Sequence, residues 1–383
     1  MGVAGQAVAE QAVAEQASAF LGGVPLAVDP TAIEQHLARL WKPAADSAGP
    51  GVQHPAVTRV ALGTLVVVAT EAQGAALEAE CDTIAAGHPS RIVVVLVAER
   101  RRALAATVAA SCHLATPGAP QVCSETIVLR AGPEHLERLP GVVLPLLLPD
   151  VPATVWWRLP QPPSADVAAD LVARCERCLL DLTGTPEPCR VWHVCQQALP
   201  GAVLDLAWHR AAAWREAVAQ LFDGGHTQAA LAGIDAVEVV SAARGPAELL
   251  PAALLAGWVT GQLRWSPVTR LADGRSRWRR PDGGEAQVAL RTAAPGDDRP
   301  GRLQALMLGA TSLAGAWHIE RRHDRVRELR VTAHCRDWCA LPFSLPAPRP
   351  TAATVVLAAL GTALDNPNRQ RACGHAGWLL GWG

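Results

Sequence analysis

The sequence predicts an α/β fold in its first half, a mostly parallel sheet flanked by helices, followed by an α+β second half built on antiparallel strands. Three observations predict it. Continuous apolar runs rich in β-branched residues occur at 65–69 and 92–97, each of strand length and without the alternation of a half-exposed strand. Helix-length segments such as 75–86 separate these runs, and strands alternating with helices make parallel neighbours through crossover connections. From 275 to 331 the pattern changes to short alternating segments divided by Gly, Pro and Asp turns, which is antiparallel chemistry.

Taken in order, residues 1–30 form an extension that repeats Gln-Ala-Val-Ala-Glu twice and carries Glu10 and Glu15 but no early Lys or Arg. It lacks the basic region of a secretory signal and is expected to be helical, in a cytoplasmic protein. The α/β domain is placed at 31–187. A helix at 31–40 sets Ile33, Leu37 and Leu40 at helical spacing, and a loop covers 43–55. Then come the strand at 65–69, the helix at 75–86, and the strand at 92–97, entered through His88-Pro89-Ser90-Arg91. A helix near 102–111, a strand at 125–129, a short helix at 134–139 and an apolar segment at 142–148 broken by Pro145 follow. The domain closes with a strand at 154–158, a helix at 165–177 and a strand at 179–182.

The second domain is placed at 188–383. Leu206, Trp214, Val218 and Leu221 share a helix face that ends at Asp223-Gly224-Gly225. A strand at 237–240 precedes an apolar helix at 249–263, with Pro251 tolerated in its first turn. Strands at 287–290, 303–308, 317–320 and 329–331 lead to a helix at 352–364, which stops before Asn366-Pro367.

Composition narrows function. With 34 basic and 35 acidic residues there is no net field to draw the chain onto nucleic acid or an anionic membrane, so neither is expected as a partner. No apolar stretch reaches the roughly 20 residues that a bilayer requires. Tyr is absent and Lys42 is the single lysine, which removes a tyrosine general acid and disfavours Schiff-base and phosphate-loop chemistry. The ten cysteines are read as reduced thiols used mostly for packing.

No assembled chemistry is legible. There is no G-x-G-x-x-G after the first strand, no G-x-S-x-G elbow, no H-E-x-x-H helix and no calcium loop, so neither catalytic residues, cofactor nor metal are assigned. Cys175 and Cys178 have thiolate-pair spacing, but Cys189, His193 and Cys195 complete no zinc motif, and buried packing cysteines are preferred. Cys335 and Cys339 beside His334 are a weaker pair for metal or disulfide. Asp150, Asp181, Asp205 and Asp223 adjoin apolar segments and read as caps or turns.

A resemblance adds a function. Pro145-Leu146-Leu147-Leu148-Pro149-Asp150-Val151-Pro152 followed by Val155-Trp156-Trp157-Arg158 resembles the signature of the OpcA family, the glucose-6-phosphate dehydrogenase assembly proteins. Further similar strings run in family order: His88-Pro89-Ser90-Arg91, Asp205-Leu206-Ala207-Trp208, Trp214-Arg215-Glu216, Ala219-Gln220-Leu221-Phe222-Asp223 and Leu255-Ala256-Gly257-Trp258. The likeness covers about 33–366. His209 and Cys373 stand where the family often has Tyr or Phe, and Glu176-Arg177 replaces its Asp-Arg.

The resemblance implies a non-catalytic assembly factor and allosteric activator of glucose-6-phosphate dehydrogenase, serving NADPH supply in the oxidative pentose phosphate pathway. It also implies thioredoxin-linked redox control in some members, whose cysteines find no residue-by-residue match here. Aromatic and Arg anchors dominate protein interfaces, so Trp156, Trp157 and Arg158, with the adjacent Asp150, and then Trp214 and Arg215, are the partner-binding candidates. Each tryptophan has a second reading as core packing. The alternative function is a small-molecule-binding or metal-dependent enzyme on the α/β domain.

Overall fold

The computed structural model describes residues 28–46, 57–59, 61–100, 102–114, 121–271, 273–294, 299–322, 327–336 and 338–382. Apart from 28–30, the predicted extension lies outside them.

The first sheet comprises β1 (Val57–Arg59), β2 (Thr64–Thr70), β3 (Arg91–Val97), β4 (Ala105–Leu114), β5 (Gln121–Ala131), β6 (Ala153–Trp157), β7 (Arg177–Leu180) and β8 (Val203–Asp205). Around it lie α1 (Pro30–Asp46), α2 (Gly74–Gly87), α3 (Leu139–Val143), α4 (Ala165–Asp170) and α5 (Pro188–Ala198). The strand order is β1-β5-β3-β2-β6-β7-β8, with β4 antiparallel to β5 and the pairings from β5 through β3, β2 and β6 to β7 parallel. Val66, Val67, Val68, Val93, Val94 and Val95 are all fully buried, which is why these strands read as unbroken apolar runs. The chain winds outward from β2 through β3 to β5 and restarts at β6, so the topological switch point lies between β2 and β6.

One helix is corrected. The helix expected near 102–111 is strand β4, in register with β5 from Ala105 opposite Arg130 to Leu114 opposite Gln121. Its alanines favour helix, but Thr107 and Val108 are β-branched, and pairing along the whole of β5 overrides a propensity worth tenths of a kcal/mol per residue. The helix expected at 165–177 ends early, at Asp170, followed by a 3-10 turn at Val172–Arg174. The reading of the cysteines as reduced is corrected at Cys123, which is disulfide-bonded. Its register partner across the β4–β5 pair is Cys112.

His88-Pro89-Ser90-Arg91 proves to be the entry to β3. His88 Nδ1 and Ser90 Oγ are 2.8 Å apart, and Arg91, 2% exposed, donates through Nε to Glu125 of β5 at 2.9 Å. The same guanidinium pairs with Glu34 of α1 and donates to the Leu146 carbonyl at 3.0 Å. One side chain therefore ties β3, β5, α1 and the 3-10 turn at Leu144–Leu146 together.

The second sheet comprises β9 (Ala236–Ala242), β10 (Ser266–Arg270), β11 (Arg275–Arg279), β12 (Glu285–Ala293), β13 (Arg302–Ala310), β14 (Gly315–Arg321), β15 (Glu328–Cys335) and β16 (Trp338–Pro346). Its order is β10-β11-β12-β9-β13-β14-β15-β16, antiparallel throughout except for β9 with β12. With it go α6 (Leu206–Arg210), α7 (Ala212–Leu221), α8 (Gly225–Ala230), α9 (Leu250–Gln262) and α11 (Pro367–Leu380), while α10 (Ala352–Leu360), which precedes α11 in the chain, belongs with the first sheet.

Helix α9 is apolar nearly all round because β9 and α11 both pack on it. Gly257 lets α11 approach: a Cβ there would sit 2.5 Å from the Ala372 carbonyl oxygen. Thr260 Oγ1 lies 2.8 Å from His375 Nδ1 across the same contact.

The chain divides into two compact units. The described residues up to Leu180, with Val191–Leu204 and Ala352–Gly361, form the first, and Asp181–Arg190, Asp205–Thr351 and Thr362–Gly383 form the second. Helix α10 thus packs on α2 in the first unit, where Arg177 donates to the Leu360 carbonyl at 3.1 Å. Among the described residues no helix is long and apolar enough to cross a membrane.

Candidate functional site

A doubly wound sheet binds nucleotides at the carboxyl ends of its strands beside the switch point, where a glycine turn opens onto a helix N-terminus. Here the chain leaves β2 through Thr70-Glu71-Ala72-Gln73-Gly74, folded as a 3-10 turn in which Gln73 Oε1 accepts from the Thr70 amide at 3.1 Å. Glu71 pairs with Arg102, whose backbone amide donates to Glu134 at 3.0 Å. A carboxylate and a glutamine side chain stand where a dinucleotide needs bare backbone and positive potential. These residues do not fit a pyrophosphate.

The strand across the switch point carries the predicted anchors. Trp156 and Trp157 are 1% and 3% exposed, because β6 is an interior strand between β2 and β7. Trp157 Nε1 donates to the Gln161 carbonyl at 2.8 Å. Arg158 lies over the Trp156 ring at 4.5 Å and pairs with Glu80 of α2 at 2.5 Å. Asp150 is exposed and left-handed, φ 62°, at the turn before β6.

In the second unit Trp214 is 1% exposed, held inward by the α7 face it shares with Val218 and Leu221. Arg215 covers the Trp208 ring at 3.8 Å and donates to its carbonyl at 2.6 Å, and burial lowers its pKa to about 10. The three tryptophan rings are therefore interior packing groups, the second of the two readings that their sequence allows.

The cysteine pair is likewise buried. Burial raises the Cys175 thiol to about 12, and a hydrogen bond with Cys195 together with burial raises Cys178, so both stay protonated at neutral pH. Protonated thiols are poor metal ligands. Among the described residues no group of three or more His, Cys, Asp and Glu is placed to hold a metal ion. The Cys339 side chain lies outside the described residues.

The most concentrated chemistry is a network that the sequence showed only as caps. Asp205 caps α6, accepting from Ala207 N at 2.8 Å and Leu182 N at 2.9 Å while 4% exposed. Burial, then the neighbouring Asp181 charge, pushes its carboxyl up to about 7. Asp181 receives both Nη atoms of Arg210 at 2.8 and 2.7 Å and Arg299 at 2.8 Å, and these guanidiniums outweigh its burial and hold its pKa below the usual range.

The two carboxyls give opposite pH signatures. Asp205, raised on folding, contributes stability that is full below about pH 4 and is lost as pH rises through about 7. Asp181, depressed, contributes stability that is lost only as pH falls below the ordinary carboxylate range. Asp205→Asn keeps a capping residue, so urea unfolding compared at pH 5 and pH 8 is expected to show a smaller decline for the variant than for the parent. An unchanged decline would show that Asp205 does not set this pH dependence.

Arg210 and Arg299 also line a cleft of about 290 Å³. Its walls include Trp214 and three further arginines, Arg302 at the start of β13, Arg321 at the end of β14 and Arg349 after β16. Gly301, at φ 76°, forms its tight corner: a Cβ would lie 2.4 Å from Thr183 Cγ2. Sequence reasoning missed these arginines, since no motif joins positions spread from 210 to 349.

Comparison with known proteins shows the kinship. Residues 81–197 match the family described as glucose-6-phosphate dehydrogenase subunit N-terminal domain, and residues 201–355 match its C-terminal domain. The chain belongs to the OpcA family.

A putative OxPP cycle protein OpcA from Synechocystis sp. is 31% identical over 192 residues, 49% of this chain and 40% of that protein. Its counterpart from Nostoc punctiforme is 30% identical over 194 residues, 49% of this chain and 41% of that one. The matched region thus spans less than half the length of these OpcA relatives. Among solved structures, a 3-ketoreductase from Actinomadura kijaniata is 14% identical with a TM-score of 0.43, covering 82% of this chain and 94% of that one. An oxidoreductase from Sinorhizobium meliloti is 10% identical with a TM-score of 0.46, covering 83% and 95%. Similarity at that level carries nothing about the chemistry of an OpcA-family chain.

Proposed function

We propose that this OpcA-family chain is a non-catalytic partner of glucose-6-phosphate dehydrogenase. It binds the dehydrogenase and shifts it toward an active assembly or conformation, supporting NADPH supply in the cytoplasm. The observation that carries the reading is that family descriptions naming a dehydrogenase subunit match two stretches, 81–197 and 201–355, which together take in most of the described chain.

The chemistry of the first unit supports the non-catalytic part. Its switch point holds Glu71 and Gln73 where a dinucleotide enzyme presents glycines, so the fold is present without its phosphate turn. The action is linkage: a protein that prefers one state of the dehydrogenase raises the population of that state, and no bond chemistry of its own is required.

The test uses the dehydrogenase of the same organism, with and without the full chain. A complex on size exclusion with light scattering is expected, with a change of about fivefold or more in substrate affinity or turnover. No complex, with oligomeric state, KM and kcat unchanged, would reject the reading. Oxidation of glucose 6-phosphate by this chain alone would reject its non-catalytic part.

A further inference from the structure

We propose that the uncovered face of the second sheet binds the same face of a second copy of this chain, making a two-fold dimer by packing sheet on sheet. The pairing is a property of this chain alone and does not depend on the dehydrogenase.

The sheet is covered on one side. Val237, Val239, Leu306, Leu308, Trp317 and Val331 belong to that side and are buried. Helix α9 packs there on β9, β12 and β13, α7 on β14, β15 and β16, and α11 on β10, with its Trp378 against Trp278. Side chains alternate along a strand, so the intervening residues face the other way. On that face the side chains of Glu238, Arg291, His318 and Glu320 are 35%, 44%, 38% and 41% exposed, so the rest of the described chain leaves it open.

A solvated sheet face carries polar residues at its outward positions. Here the register gathers Ala236, Val240, Ala305, Met307, Gly309 and Ala316 at the middle of the face, on the adjacent strands β9, β13 and β14. Gln287 and Arg291 of β12, Arg330 and His334 of β15 and Ser344 of β16 surround them, and all five are exposed. An apolar centre inside a polar rim is the anatomy of a protein interface. Gly309 and the three alanines are small enough for a second sheet to approach to about 10 Å, the ordinary separation of packed sheets. Met307, half-buried among them, is an unbranched side chain that adapts to the surface laid on it.

Charge and area select the occupant. A face of one sign repels its own copy, but this one carries Glu238 beside Arg291 on one flank of β13 and Glu320 beside Arg330 on the other. The whole chain, with 34 basic and 35 acidic residues, has no net field to keep two copies apart. Glu238 and His318 flank Met307 in register. A two-fold axis running along β13 lays β9 of one copy over β14 of the other, which sets Glu238 opposite His318 and Met307 opposite its own counterpart. Strands β12, β9, β13, β14 and β15 span about 24 Å across, and six or seven residues along each span about 22 Å. Joining two such faces buries about 1,000 Å² in all, the lower bound of a specific interface, so a reversible dimer is the expected product.

The experiment is sedimentation of the full chain without the dehydrogenase. The mass is expected to rise with concentration from 40.2 kDa toward twice that value, with a dimer Kd below about 20 µM. Met307 is the only methionine besides Met1, so dilute peroxide followed by peptide mass spectrometry reports on this face by itself. Its conversion to the sulfoxide should be at least about fivefold slower well above the Kd than well below it. Met307→Arg and Ala316→Arg should each raise the Kd about tenfold or more, while Ala219→Arg, at an exposed position of α7, should leave it unchanged. The peroxide comparison uses the unaltered chain, so it decides the matter if a central variant fails to fold.

A chain that stays monomeric at about 100 µM overturns the proposal. So does a dimer in which Met307 oxidises as fast as in the monomer, or one undisturbed by both central variants. Slow oxidation of Met307 at every concentration would mark the face as covered by another segment of the same chain, and protection that appears only with added dehydrogenase would assign it to that enzyme. Either result overturns the dimer. Failure of self-association is read without the dehydrogenase and leaves the partner reading standing.

Discussion

Arg91→Leu is expected to lower the stability of the first unit by about 3–5 kcal/mol. Arg91 is 2% exposed, and its main carboxylate partner Glu125 has a side chain 4% exposed, so the pair is dry. Taking away one member of such a pair leaves the other charge desolvated and without its counterion, which costs more than the pair itself contributes. The variant also withdraws the donor to the Leu146 carbonyl and the link to Glu34 on α1. Arg91→Lys should cost less, since charge survives while the fork is lost. Arg91→Leu combined with Glu125→Leu should recover much of the loss, because the stranded carboxylate is then gone. Denaturant unfolding of the three variants is the measurement, and a loss under about 1 kcal/mol for Arg91→Leu would show that the knot is not structural.

Trp278→Ala is expected to destabilise the second unit by about 3–5 kcal/mol. Trp278 is one of two inward residues of β11 and fully buried, edge-on to Trp378 with centroids 5.2 Å apart and to His375 at 5.0 Å. Both partners lie on α11, so the indole is the wedge that seats this helix against the sheet. Its Nε1 donates to Ser276 Oγ at 2.8 Å, and Ser276 Oγ donates to the Val288 carbonyl at 3.2 Å. Trp278→Phe keeps most of the packing and removes the indole donor, so it should cost only about 1–2 kcal/mol. A double-mutant cycle with Trp378→Leu should return a coupling of about 0.5–1.5 kcal/mol. A near-zero coupling, or a loss under about 1 kcal/mol on truncation, would show that Trp278 does not seat α11 on the sheet.

The Arg91 knot and the Trp278 wedge differ in how visible they are in the sequence. His88-Pro89-Ser90-Arg91 could be quoted as a string, but nothing in it announces a buried arginine, because its acidic partners are 57 and 34 residues away in sequence. β11 was missed altogether. In Arg275-Ser276-Arg277-Trp278-Arg279 the inward positions are a serine and a tryptophan, so a search for alternating aliphatics passes over a strand whose pattern is alternating exposed and buried. Helix α11 was missed for a capping reason. Asn366-Pro367 was read as the stop of the preceding helix, whereas Asn366 accepts from Arg369 N at 3.0 Å and Pro367 is the first helical residue, which makes the dipeptide a start signal.

What the sequence determined by itself was the parallel centre of the first sheet, the change to antiparallel strands in the second half, and, through its motif strings, the OpcA family. Strands buried on both faces have to be apolar throughout, and that constraint is local enough to read from consecutive residues. What only the tertiary structure decided was direction and convergence. It turned Trp156, Trp157 and Trp214 inward, drew Ala105–Leu114 into a strand along β5, and brought five arginines from 210 to 349 around one cleft. Side-chain identity is written residue by residue, but burial and proximity are set by packing between segments far apart in the chain, and no local pattern encodes that distance.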